Sequence, residues 1–277
     1  MAQRFPESSP TVFAKSRPNA PTDFFAAEAA SLRWLRDAGA PVVDVIDVSP
    51  TGIELRRLGS ARPDASAARR FGAALARMHD AGAAAFGAPP DGYTGRQYIG
   101  ERPMSSATHS TWGAFYAAER VLPFLDQAVV AGNVTPDDEA VTRDACALIA
   151  EGLFDSDGAG GAEPPSRIHG DLWNGNVMWT PDGVVMIDPA AHGGHRETDL
   201  AMLDLFGCPF LDDVLAAYDE EHPLAPGWPR RVPLHQLHPL AVHAVGHGAG
   251  YGRALGRAAR ATLALADADR APGSADE

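Results

Sequence analysis

The chain has 277 residues, 45% hydrophobic and 21% charged, with a net charge of −13. That length can bury one large core or build two lobes, and the acidic balance argues against nucleic-acid binding, which calls for a basic face. Two cysteines, Cys146 and Cys208, are too few for a disulfide framework and point to a reducing compartment. No apolar run resembles a signal peptide or could span a bilayer, so a cytoplasmic protein with no membrane partner is expected.

The stretch from Thr11 to Lys15, "TVFAK", alternates in the manner of a strand. "DFFAAEAASLRWLRDAG" then predicts a helix, with Asp23 or Thr22 as its cap, an apolar stripe of Phe24, Phe25, Ala29, Leu32 and Leu35, and Gly39 as its end. "PVVDVIDVSPTGIELRRLG" reads as two strands around a Ser-Pro-Thr-Gly turn. After this sheet-rich start the patterns turn helical: "ASAARRFGAALARMHDAG", "STWGAFYAAERVLPFLDQAVVAG", "DDEAVTRDACALIAEGLF", "ETDLAMLDLFG", "LDDVLAAYDEE" and most of "PLHQLHPLAVHAVGHGAGYGRALGRAARATLALADA". The organisation expected is a small lobe over 1–59, a helical lobe over 60–270 and a disordered tail over 271–277. The Gly-, Ala- and Pro-rich segment from Asp155 to Ser166 reads as a mobile connection.

Within the helical lobe, "RIHGDLWNGNVMWTPDGVVMIDP" (Arg167 to Pro189) is different. Val177–Trp179 and Val184–Ile187 are predicted strands joined by Pro181-Asp182-Gly183 turn chemistry. With the turn centred near Asp182, Asn176 and Asp188 lie six residues to either side. Antiparallel pairing would bring both to the open end of one hairpin. An amide oxygen and a carboxylate there can hold a hard cation such as Mg²⁺. Asp171, on the loop entering the hairpin, would stand close by, where a base for an attacking hydroxyl belongs.

The spacing D-x-x-x-x-N followed by D resembles the catalytic loop and metal aspartate of the protein-kinase-like fold. That resemblance implies an α+β, two-lobe architecture binding ATP. Lys15 would contact its α/β-phosphates, braced by Glu28, and a hinge near "ELRRLGS" would present Arg56 to Leu58 to the adenine. Within that superfamily, "VFAKSRPNAPTDFFAAEAASLRWL", "FGAPPDGYTG", "HGDLWNGNVMW" and "IDPAAHGGHRETDLAMLDLFG" resemble the fructosamine kinase (ketosamine-3-kinase) family. The resemblance implies ATP- and Mg²⁺-dependent phosphorylation of a sugar hydroxyl on a ketosamine, free or carried on a glycated protein, as a deglycation step. Position by position, it makes Asp171 the catalytic aspartate, Asn176 and Asp188 the magnesium ligands, and Lys15 and Glu28 the ATP-side ion pair.

Three departures from the pattern stand out. No glycine precedes Lys15, so the expected phosphate loop is missing, and either an upstream start or weaker nucleotide binding would follow. Arg56 stands where an acidic residue is expected, and His195 where relatives often carry aspartate. A nucleotide-binding pseudokinase therefore stays open beside the active kinase, as does a kinase of another hydroxyl compound such as an aminoglycoside. The chain has no G-x-x-x-x-G-K-[ST] motif, and Pro189-Ala190 after Asp188 argues against a switched protein kinase. Trp173 suits either the core or a sugar face. His169 is expected as a structural hydrogen bonder, and Asp199 as either a helix cap or a brace for the catalytic loop. Cys146 reads as a small core residue, and His243 with His247 as structural histidines rather than metal ligands.

Overall fold

The computed structural model describes residues 11–155 and 162–270. In chain order it begins with β1 (Val12–Ser16), α1 (Phe24–Asp37), β2 (Val45–Ser49), β3 (Gly52–Arg56), α2 (Ala65–Asp80), β4 (Gln97–Ile99) and β5 (Arg102–Met104). Then come α3 (Trp112–Phe115), a π turn (Tyr116–Val121) running into α4 (Leu122–Val130), α5 (Pro136–Ala150) and β6 (Ser166–Ile168). A 3₁₀ turn (Asn174–Asn176) leads to β7 (Val177–Thr180), β8 (Gly183–Met186) and β9 (His192–Gly194). Helices α6 (Arg196–Phe206), α7 (Leu211–Glu221), α8 (Trp228–His235), α9 (Leu237–Gly246) and α10 (Ala249–Arg270) complete the chain. Much of the expected mobile connection, residues 156–161, and all of the expected tail lie outside the described residues.

The described residues pack as two compact units. One takes in the residues up to Ala84, Ala88–Ser106 and Ser166–Pro223; the other takes in Ala85–Gly87, the residues between Ala107 and Pro165, and those from Leu224 onward. The first unit thus joins the N-terminal sheet to the catalytic-loop hairpin, whereas the expectation above separates them at residue 59.

The first unit is built on an antiparallel sheet of order β1-β3-β2. Alternation orients it: Ile53 and Leu55 are buried, while Glu54 and Arg56 are more exposed. The register sets Lys15 opposite Ile53. On α1, Phe25, Ala29, Leu32 and Leu35 recur at helical spacing and are all buried. Gly39 ends the helix in the left-handed region, φ 77°, with its N–H donating to Arg36 O at 2.7 Å. The expected cap at the start of α1 is not made. Asp23 itself is left-handed, φ 67°, and its carboxylate accepts the Arg96 N–H at 3.3 Å. Helix α2 is capped by Asp64, which accepts the Ala67 N–H at 2.8 Å. It approaches α7 so closely at Gly72 that a Cβ there would collide with the Val214 carbonyl.

The hairpin β7–β8 pairs Thr180 with Gly183 and Val177 with Met186. Its centre therefore falls between Pro181 and Asp182, half a residue from the position expected. Asn176 faces Ile187, whose N–H donates to Asn176 O at 3.1 Å, and Asp188 follows one residue later. The hairpin also binds the segment before β2. Met186 N–H donates to Pro41 O at 2.7 Å, and Val43 N–H to Met186 O at 3.0 Å. These bonds help to fix the hairpin beside the sheet that carries Lys15.

In the second unit α4, α5, α9 and α10 bury Phe124, Leu125, Cys146, Ile149, Leu240 and Leu255. Burial pushes the Cys146 thiol up to about 12, as suits an inert core residue. Helices α8 and α9 are separated at Gln236. Pro239 sits in the first turn of α9, where its missing N–H is tolerated. The His243 and His247 rings lie 5.2 Å apart, tilted by 36°. Among the described residues no helix is long and apolar enough to cross a membrane.

Candidate active site

The site lies within the first unit. Strand β6, paired antiparallel with β9, delivers His169, Gly170 and Asp171. The Asp199 carboxylate, only 1% exposed, accepts the His169 N–H at 2.7 Å and the Gly170 N–H at 3.0 Å. His79 Nε2 lies 3.1 Å from the same carboxylate, and His79 Nδ1 lies 2.7 Å from the Tyr218 hydroxyl. Burial works against a charge on Asp199, but the hydrogen bonds from His79 and the backbone outweigh it and hold its pKa below the usual carboxylate value. Burial likewise lowers the pKa of His79 and of His169, so both rings are neutral near pH 7. Asp171 N–H donates to His169 Nδ1 at 3.2 Å, which leaves Nε2–H to donate to Ile187 O at 3.0 Å. His169 thereby fastens the loop to the hairpin and has no proton to exchange with a ligand.

Gly170 is required here on two counts. Its φ is 78°, and a Cβ would strike the Ala190 carbonyl and the His192 ring. Of the two roles expected for Asp199, the cap belongs to His195 instead, whose ring nitrogen accepts the Glu197 N–H at 3.2 Å.

Lys15, Glu28, Asp171, Trp173, Asn176 and Asp188 all line one cavity of about 400 Å³. Lys15 Nζ donates to Glu28 Oε1 at 2.8 Å and also bonds to Asp188 Oδ1. Burial pulls the Lys15 pKa down, but Glu28 and Asp188 more than offset it and leave a net rise. Burial raises the Glu28 pKa, with Lys15 opposing. Asp171 is pushed up to about 7, first by burial and then by the nearby Asp188 and Asp199 charges, against the Asn176 hydrogen bond. Asn176 Nδ2 donates to Asp171 O at 2.8 Å and to Asp171 Oδ2 at 3.2 Å. With its nitrogen so committed, its Oδ1 is left as an acceptor. Asp188 is left-handed, φ 54°, directly before Pro189, a costly backbone state of the kind found at functional sites.

An amide oxygen and a carboxylate on one cavity wall form a hard, all-oxygen donor set. A crowd of acidic groups that holds one carboxyl near neutral pH is also the setting that a divalent cation relieves. The residues present therefore fit Mg²⁺.

Trp173 is 38% exposed, and its ring packs edge-on against Phe206 at 5.9 Å. Another part of the wall was not foreseen from the sequence. It includes Phe24, Gln97 and Tyr98 among the lining, with Phe24 and Tyr98 edge-to-face at 5.3 Å and Gln97 Nε2 donating to Ala191 O at 2.9 Å. The three-residue strand β4 that presents Gln97 and Tyr98 is too short to show a period.

Arg56 and Leu58 do not line this cavity. They border a second one of about 260 Å³, with Phe13, Val43, Leu55, Met178 and Ile187 as apolar walls and Lys15 and Asp188 shared with the first. The Arg56 side chain is ion-paired with Asp44 at 2.6 Å, and its N–H donates to Asp44 O at 2.8 Å.

Comparison with known proteins gives the family and the fold. The family model described as fructosamine kinase matches residues 1–264. A protein of Enterococcus faecium named as a ketoamine kinase is 31% identical over 246 residues, covering 87% of this chain and 83% of its own. A Thermobifida fusca crystal structure titled a fructosamine-3-kinase superposes with a TM-score of 0.83 at 47% identity, over 91% of this chain and 85% of its own. At 17% identity, a thermostable mutant of aminoglycoside phosphotransferase APH(4)-Ia matches with a TM-score of 0.55 over 96% and 94% of the two chains. That likeness shows the fold alone, the α+β protein-kinase-like architecture expected from the catalytic-loop spacing. With the family model spanning nearly the whole chain, the protein belongs to the fructosamine kinase family.

Proposed function

We propose that the protein transfers the γ-phosphoryl group of ATP to a sugar hydroxyl of a ketosamine, the first step in removing a sugar adduct from an amine. The observation that carries this reading is the convergence of Asp171, Asn176, Asp188, Lys15 and Glu28 on one cavity. Lys15, Glu28 and the stretch from Asp171 to Asp188 come from three separate parts of the sequence and line one cavity, which supports phosphoryl transfer.

Asp171 accepts the proton of the attacking hydroxyl, and its carboxylate also orients that oxygen. Asn176 and Asp188 would hold Mg²⁺, which when bound neutralises charge on the phosphates. Lys15, held by Glu28, exchanges its bond to Asp188 for the α/β-phosphates and so frees that carboxylate. The apolar walls of the second cavity suit an adenine ring. Because the Arg56 and Arg57 N–H groups donate to Asp44 O and Thr11 O, Leu58 supplies the backbone that meets the adenine edge. Trp173 offers its exposed face to the sugar. His169 and Asp199 support the loop. The sheet of β1, β2 and β3 with helix α1 makes up the nucleotide side, within the same unit as the catalytic loop. Two buried free cysteines support a cytoplasmic location, and the substrate is a free sugar amine or one displayed on a glycated protein.

The test is to incubate the purified protein with Mg·ATP and a panel of fructosamines, ribulosamines, aminoglycosides and choline. ADP release and a mass gain of one phosphoryl group are expected with the ketosamines. Transfer confined to the aminoglycosides or choline, or to none of the panel, would overturn the reading.

A further inference from the structure

Arg167 lies on β6, four residues ahead of Asp171, yet its side chain is engaged away from the cavity. The side chain is 11% exposed. Nη1 donates to Trp34 O at 2.7 Å and Nε to Gly82 O at 3.3 Å. The guanidinium carbon lies 4.2 Å from the Trp34 ring centroid, and Nη2 is 3.6 Å from Asp91 Oδ2. Both carbonyls mark helix ends. Trp34 is in the last turn of α1, and Gly82 lies just past the end of α2.

Helix C-termini carry unsatisfied carbonyls and partial negative charge, and they favour a cation. At the end of α1 the Ala38 N–H donates to Leu35 O, so Trp34 O is open to the guanidinium. A planar fork can meet two carbonyls and an indole face at once, which the point charge of a lysine cannot do. The apolar stripe of α1 (Phe25, Ala29, Leu32 and Leu35) would hold the helix against its neighbours without Arg167. Such a stripe resists sliding along the helix axis only weakly, however, and a hydrogen bond to a terminal carbonyl fixes that axial position. Glu28 sits six residues back from Trp34, about 9 Å along the axis.

On the kinase reading above, we infer that Arg167 is a positioning residue. It ties the C-terminal end of α1 to the strand that delivers the catalytic loop, and so keeps Glu28 and Lys15 in register with Asp171 and Asp188. A purely structural role would lower stability without acting through Glu28.

A double-mutant cycle separates the two, read as the Kd for Mg·AMP-PNP by titration calorimetry, with thermal unfolding as the check on folding. Arg167→Lys should weaken binding about fivefold in the unmodified background and less than about twofold in the Glu28→Gln background, a coupling expected of residues that act through one another. Arg167→Met, which keeps the apolar stem but donates no hydrogen bond to Trp34 O, takes its place in the cycle should the lysine variant not fold. An equal loss in both backgrounds, or no loss in either, would overturn the inference. If the unmodified protein does not bind Mg·AMP-PNP at all, the kinase reading fails first, and this inference with it.

Discussion

Asp199→Asn is nearly isosteric and removes one charge from a group that accepts two buried backbone donors, His169 N–H and Gly170 N–H, and faces His79. Hydrogen bonds to charged groups contribute about 1.5–3 kcal/mol each, against about 0.5–1.5 for neutral ones. The asparagine also turns an NH₂ toward at least one donor. A loss of about 3 kcal/mol follows, or about 6–12 °C in Tm at 2–4 °C per kcal/mol for a chain of this size. The acid dependence has a definite sign. The folded-state pKa of Asp199 is held below its ordinary value, so its stabilisation is fully present above the unfolded pKa of about 3.9 and is lost as pH falls through the lower, folded value. Urea unfolding should show a constant gap between the two proteins from pH 5 to 7 that narrows in stronger acid. In the same variant kcat should fall at least tenfold, because Asp171 is no longer aimed. A Tm within 2 °C of the unmodified protein, or a gap that widens in acid, would refute the brace.

Trp173→Ala should raise KM for the ketosamine several-fold while leaving the Kd for Mg·AMP-PNP unchanged, measured by steady-state kinetics and calorimetry. Gly170→Ala places a Cβ against Ala190 O and the His192 ring at a φ of 78° and should cost several kcal/mol, about 3 or more, seen as a large drop in Tm with loss of turnover. Asn176→Ala should raise the Mg²⁺ concentration needed for half-maximal turnover, in a metal titration at saturating ATP, with Tm lower by several degrees for the lost bonds to Asp171.

The catalytic loop and hairpin were legible because their chemistry is local: a turn, two strands and three oxygen-bearing side chains lie within 18 residues, Asp171 to Asp188. Lys15 and Glu28 were legible only through resemblance, since nothing in a lone strand lysine points to a helix glutamate. The buried chain from Asp199 through His79 to Tyr218 was not, because its members lie 120 and 139 residues apart. Asp23 was misread as a cap because the Arg96 N–H, 73 residues away, takes its carboxylate. Strands β4, β5, β6 and β9, three residues each, are too short for a period-two pattern to register. Arg167 gave no signal, for the carbonyls it meets belong to the backbone and carry no residue type.

Phosphoryl transfer by Asp171→Asn is the most direct measurement. A positioned base contributes about 10²–10⁴ in rate, so kcat on a ketosamine should fall at least about 100-fold. The Mg·AMP-PNP affinity and Tm should stay close to those of the unmodified protein. A kcat within tenfold of the unmodified value, in a variant that still folds and binds nucleotide, would contradict the assignment of Asp171 as the group that takes the hydroxyl proton.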